Sequence, residues 1–201
     1  MKKIAFYLLL VVITANSYAQ SEEEKSNGGF KKENLFTGGN VTVSFFNGGT
    51  ILGMSPHFGY SIAKWLDAAV TVGYTYTGQR DEFNNKLRQT VIAPGTFVRI
   101  FPVPFLFAKA QYERNFIRLK GLPSGGGTVI QKTQVNSFLV GAGYTSGREP
   151  GNNNFYYVSI MFDVLKDINS PYTDSYGRIL PIISAGLNIA LFQGNRNRRG
   201  R

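Results

Sequence analysis

Eight segments of this chain alternate, residue by residue, between a bulky apolar side chain and a small or polar one. In residues 52–62, Leu52, Met54, Phe58, Tyr60 and Ile62 fall on one side, and Gly53, Ser55, His57, Gly59 and Ser61 on the other. Residues 68–77 repeat the pattern, with Val70, Val72, Tyr74 and Tyr76 opposite Ala69, Thr71, Gly73, Thr75 and Thr77. The same period recurs in residues 40–47, 91–100, 106–113, 137–145, 156–164 and 183–191. A period of two specifies extended strands, and each run has about the length a tilted strand needs to cross a bilayer. Beyond the first 19 residues, no apolar run is long enough for a membrane helix.

Bulk decides which face points inward. The interior of an eight-stranded barrel is just wide enough for side chains, so the concave face should hold the glycine, serine and threonine. The bulky face then points outward, an arrangement only lipid favours. A soluble barrel would invert this and carry a charged exterior, yet charged residues are 17% of the chain, against about 25% in ordinary globular proteins. The expected fold is all-β, an eight-stranded antiparallel up-and-down transmembrane β-barrel.

The connections support that reading. Short ones, residues 63–67, 102–104 and 146–153, follow the second, fourth and sixth strands, whereas long polar ones, 78–89, 114–134 and 166–176, follow the third, fifth and seventh. Short turns on one side and long loops on the other distinguish the periplasmic from the external end of an outer-membrane barrel. Aromatic residues gather at strand ends, as interfacial girdles do. Tyr60, Trp65, Phe101, Phe105, Tyr144 and Tyr156 are expected at the periplasmic end, and Phe45, Tyr74, Tyr76 and Tyr112 at the outer end.

The termini read differently. Lys2 and Lys3, the apolar run from Ile4 to Ile13, and Ser17-Tyr18-Ala19 form a secretory signal over residues 1–19. A flexible periplasmic lead-in over 20–35, a barrel over 36–192 and a basic periplasmic tail over 193–201 complete the expected division. The formal charge of +10 falls to +8 without the two signal lysines. It falls to +4 once Arg196, Arg198, Arg199 and Arg201 of the tail are set aside. Basic charge lodged on a tail does not make a nucleic-acid surface, and no nucleic-acid partner is expected.

At this point the chain resembles the bacterial outer-membrane β-barrel protein family, the small eight-stranded OmpA/OmpX-type barrels. The resemblance covers about residues 36–192 and rests most on the last strand. There Ser184, Gly186, Ile189 and Leu191 look like the assembly signal read by the barrel assembly machinery, with Phe192 matching the terminal aromatic. The segments GTFVRIFP (95–102), LFAKAQYE (106–113) and FDVLKD (162–167) also look like family strands. The chain departs from the pattern by continuing to Arg201. The resemblance implies fold and location, with outer-membrane lipid as surroundings, and a monomer is expected.

Few residues invite chemistry. The absence of cysteine excludes disulfides and thiolate metal sites, and one histidine excludes a multi-histidine metal centre. No catalytic, metal or cofactor residue is therefore assigned. The inward parity carries Arg99, Lys109, Gln111, Glu113 and Asp163, and Arg178 is expected to approach Asp163. Charges inside so narrow a barrel are costly unless paired, so a mutually satisfied plug is expected. The functional expectation is a non-catalytic outer-membrane barrel with a structural role or a surface-interaction role through its loops, towards an extracellular ligand the residues do not identify. The alternatives are a narrow pore and a lipid-modifying enzyme using His57 with Ser55 or Ser61; no carboxylate is placed to orient that imidazole. Gly125-Gly126-Gly127 matches no phosphate-binding fingerprint, since no helix follows it.

Overall fold

The computed structural model describes residues 30–46, 49–80, 85–122, 127–146, 148, 154–173 and 177–192. The expected signal peptide, most of the lead-in, the basic tail and the Phe45 side chain lie outside the described residues. The chain divides into two units, Met1–Lys31 and Lys32–Arg201, and the second holds every strand. After a single 3-10 turn (Lys32–Asn34) come β1 (Leu35–Phe46), β2 (Gly49–Ala63), β3 (Leu66–Arg80), β4 (Lys86–Val103), β5 (Leu106–Leu122), β6 (Val129–Ser146), β7 (Phe155–Asp163) and β8 (Ile182–Ala190). Each pairs antiparallel with its successor, and β8 returns to β1, closing the barrel.

Closure comes with a stagger. A hydrogen-bonded row leaving Val158 on β7 passes through Ala185, Val41, Met54, Tyr74, Ile92 and Phe116, and reaches β6 at Gln134. Val158 itself faces Tyr144 on that same strand, ten residues away from Gln134. Such a shear tilts the strands by roughly 35–45° and sets a bore that side chains fill. Every member of the row but Gln134 is apolar, because the row spirals up the outer wall.

The alternation seen in the sequence sorts these faces. Val41, Val70, Val158 and Ile183 on the outer wall are each more than half exposed, while His57, Arg99, Asn115 and Asp163 are buried in the lumen. Trp65, Phe105, Tyr144 and Tyr156 are exposed near the short turns, and Tyr74 and Tyr112 farther out. Tyr60 and Tyr76 are half-buried. Phe101 differs from the expectation: two residues from Arg99 it shares that inward parity, and it is 5% exposed inside the barrel rather than at the interface.

The lumen is also less uniformly small and polar than expected. Phe36, Phe97, Phe101, Phe107, Phe155 and Tyr157 all lie inside. Glycine creates the room for them. Phe36 stands directly opposite Gly59, Phe107 opposite Gly143, and Tyr157 opposite Gly186. A methyl group added at any of these glycines would overlap the facing ring. Thus the β1–β2, β5–β6 and β7–β8 pairs each fit one ring into one missing side chain, as close packing demands.

Strand lengths depart from the expectation as well. β7 and β8 have 9 residues each, enough to cross a bilayer, but β4, β5 and β6 run to 18, 17 and 18. Most of residues 78–89 and 114–134, expected as loops, continues the ladder as strand. The hydrophobic alternation stops before the strands do. Backbone pairing does not need it and carries on, with polar side chains on the outward face.

The ring-and-glycine fit is testable. Gly143→Val should drive a side chain into Phe107, cost roughly 1–3 kcal/mol of stability as overpacking typically does, and so lower the thermal midpoint. Ala142→Val, facing outward beside it, should leave the midpoint where it was. Heat-dependent gel mobility of both variants reads the difference.

Candidate functional site

Inside the barrel, the described residues contribute three cations, Arg99, Lys109 and Arg148, and three carboxylates, Asp67, Glu113 and Asp163, all buried. They separate into two clusters along the axis.

The cluster near the short turns centres on Arg99, whose side chain is 1% exposed. It lies 3.5 Å from Asp67 Oδ2 and donates through Nη2 to Asn188 Oδ1 at 2.7 Å. The rings of Phe36, Phe97, Phe101, Phe107, Phe155 and Tyr157 surround its guanidinium at 5.1–6.0 Å from Cζ to centroid. This cage offers quadrupole attraction in place of lost hydration. Asp67 accepts from Ser61 Oγ at 2.8 Å, and from Arg148 Nη1 at 2.9 Å and Nη2 at 3.2 Å. Arg148 also stacks 3.5 Å from the Phe101 centroid and donates to the Lys64 carbonyl, so the β6–β7 connection reaches across to the β2–β3 turn and closes that end. One carboxylate thus serves two guanidinium groups, one from β4 and one from the β6–β7 connection.

The outer cluster begins at Lys109, directly opposite Arg99 across the β4–β5 ladder, with Nζ 4.3 Å from the Phe97 centroid. Gln111 donates to Glu113 Oε2, and Tyr172 Oη donates to Glu113 Oε1, both at 2.6 Å. Burial, then the adjacent Glu113 carboxylate, pushes the Tyr172 pKa well above the ordinary tyrosine value, so the hydroxyl remains a donor. Asp163, fully buried, accepts from Ser170 Oγ at 2.7 Å and from the backbone N–H groups of Phe138 and Leu165 at 3.2 and 3.1 Å. Asn115 donates to Ser137, which touches Ser170. The segment between β7 and β8 therefore turns Ser170 and Tyr172 down into the mouth.

Arg178 does not join this cluster. It is exposed on that segment, and Asp163 is satisfied by a hydroxyl and two main-chain donors instead. His57 is buried with Nε2 3.2 Å from Asn188 Oδ1, between the rings of Phe36 and Phe97. Of the serines considered beside it, Ser61 gives its hydroxyl to Asp67. In the last strand, Ser184 and Gly186 face the lumen, where Ser184 touches Thr42, and Ile189 faces outward. Leu191 extends the ladder by donating its N–H to the Leu35 carbonyl.

Asp67, Asn115, Arg148, Ser170, Tyr172 and Asn188 were not singled out by sequence reasoning. Parity could have found three of them, since Asp67 is in phase with Ala69 and Thr71, Asn115 with Gln111 and Glu113, and Asn188 with Ser184 and Gly186. The other three, Arg148, Ser170 and Tyr172, lie in connections, where parity has no meaning.

No family model and no curated relative matches the chain. The solved structures to which it is similar include the following barrels. The attachment invasion locus protein Ail of Yersinia pestis, solved with the heparin analogue sucrose octasulfate, aligns over 77% of this chain and 96% of its own at 8% identity and a TM-score of 0.49. Neisserial surface protein A aligns over 78% and 95% at 15% identity and a TM-score of 0.43. The N-terminal barrel domain of Pseudomonas aeruginosa OprF aligns over 78% and 95% at 16% identity and a TM-score of 0.35. The chain has the fold of a small eight-stranded outer-membrane barrel. That statement stands on the closed topology and the apolar outer wall described above.

Removing the shared carboxylate should be the most damaging single change in the lumen. Asp67→Asn leaves two buried guanidinium groups without a counter-charge, and a loss of about 3–5 kcal/mol is expected. Asp163→Ala should likewise cost more than Asp167→Ala, whose carboxylate is exposed. Equal unfolding midpoints for the two would remove the case for a stabilising lumen network.

Proposed function

We propose that this chain is a non-catalytic integral protein of the bacterial outer membrane, exported by its amino-terminal signal, with its role carried by the outer wall and external loops. The filled lumen carries the reading. Arg148, Asp67 and the aromatic cage around Arg99 fill the end near the short turns, and Glu113, Asp163, Ser170 and Tyr172 the other end. A conducting path would have to displace a caged guanidinium and break hydrogen bonds to buried carboxylates, at a cost of several kcal/mol. Lumen residues in such a barrel act as its core. What remains available for interaction is the exterior, first of all towards outer-membrane lipid.

Reconstitution distinguishes this reading from a pore. The purified barrel in planar bilayers should give no stable conductance step, and Arg148→Ala, which opens one end only, should give none either. Regular steps from the parent protein, abolished on changing Arg99, would overturn the closed-barrel reading. Membrane fractionation with heat-dependent mobility tests the location itself: a soluble product of unchanged mobility would end it.

A further inference from the structure

Four strands, β1, β2, β7 and β8, contain no lysine or arginine at all. On the opposite half of the wall, outside the lumen, the outer ends of β3 to β6 present Arg80, Lys86, Arg88, Arg114, Arg118, Lys120 and Lys132 on the outward parity. All are exposed except Lys120, which is half-buried. The register places like charges side by side: Arg80 pairs with Lys86, Arg88 with Lys120, and Arg118 with Lys132. Like charges directly opposite in a sheet are destabilising. No Asp or Glu occupies an outward position on these four strands, since Asp67 and Glu113 both face the lumen.

The position of this face matters as much as its charge. Arg118 lies two residues beyond Phe116, the last apolar residue of β5's outer wall within the spiral row, and Lys132 two beyond Gln134. Two residues of a strand tilted this way rise about 5 Å. Arg114, just before Phe116, is held against the wall by a hydrogen bond to Gln134 Oε1 and by the Phe116 ring. The cations that face one another across the ladders all lie beyond that row, at the depth of lipid headgroups, and they point sideways over the membrane rather than up into the medium.

We infer that the outer ends of β3 to β6 form a lateral binding face for the phosphate groups of anionic outer-leaflet lipids, held by Arg88, Arg118, Lys120 and their neighbours. Phosphate supplies the counter-charge that the sheet lacks, and guanidinium groups take it through paired N–H donors. The inference rests on the membrane reading above and assigns the barrel one side that gathers phosphorylated lipid.

The test uses the full-length barrel in phosphatidylcholine vesicles, with purified lipopolysaccharide, the same material dephosphorylated, and heparin as a soluble sulfated polyanion. The combined variant Arg88→Gln, Arg118→Gln and Lys120→Gln should insert and show normal heat-dependent mobility, yet lose affinity for the phosphorylated glycolipid by roughly a hundredfold. Lys32→Gln with Lys64→Gln, at the other end of the barrel, should bind as the parent does. Affinity should also fall with added salt. Parent-like binding by the triple variant, or equal binding of dephosphorylated glycolipid, would overturn the inference. So would binding of heparin without binding of the phosphorylated glycolipid, which would make the face a receptor for soluble polyanion. If the parent fails to insert or to shift on heating, the membrane reading fails instead.

Discussion

The ten-residue stagger of the closed sheet is the constraint on which the rest of the structure depends. It sets the bore of the lumen, and an eight-stranded bore has room for side chains and little else. Three of the lumen rings enter where the neighbouring strand gives up its own side chain. Gly59, Gly143 and Gly186 do so opposite Phe36, Phe107 and Tyr157. The glycine content of the inward faces thus follows from register: a one-residue slip would set a ring against a bulky neighbour and turn the charges towards lipid.

The same narrow bore explains the electrostatics. Arg99 has no exit to water, so its charge must be met within the wall. Six rings, one amide oxygen and a carboxylate 3.5 Å away share that task. The cage leaves Arg99 Nε without a hydrogen-bond partner. Cation–π contact offsets part of that loss but supplies no acceptor. Asp67, in turn, is held by Ser61 and Arg148, which ties the β2–β3 and β6–β7 connections together. Balance between three buried cations and three buried carboxylates is what lets a charged lumen behave as a core.

Parity made the barrel legible in the sequence. Once Leu52, Met54 and Phe58 were set against Gly53, Ser55 and His57, the faces of β2 followed, and the other strands repeated the test. The inward placement of Arg99, Lys109, Gln111, Glu113 and Asp163 came from the same count. What parity could not supply was anything outside a strand. Arg148 sits in a turn, and Ser170 and Tyr172 in a loop, so neither end closure was visible. Arg178 was drawn towards Asp163 by charge alone, whereas the buried carboxylate is met by a nearby hydroxyl and by main-chain donors whose positions no charge count reveals. Residue type alone suggests an interfacial Phe101, whereas its parity with Arg99, two residues away, turns it inward.

On the proposed membrane placement, the long outer ends of β4 to β6 follow from the two solvents that this wall would meet. Within lipid every backbone group must be paired and every outward side chain apolar. Above it the ladder persists, but the outward side chains become basic. Because β7 stops at Asp163, opposite Leu139, the outer part of β6 has no strand on that side among the described residues. Such an open edge invites pairing with another chain, and Val129 and Ile130 at its end are exposed. Lys132 sits within that stretch and opposes association of a second copy through its charge. The basic wall therefore answers two demands of one geometry: it keeps an extended half-sheet solvated where lipid no longer covers it, and it keeps the exposed edge of that half-sheet single.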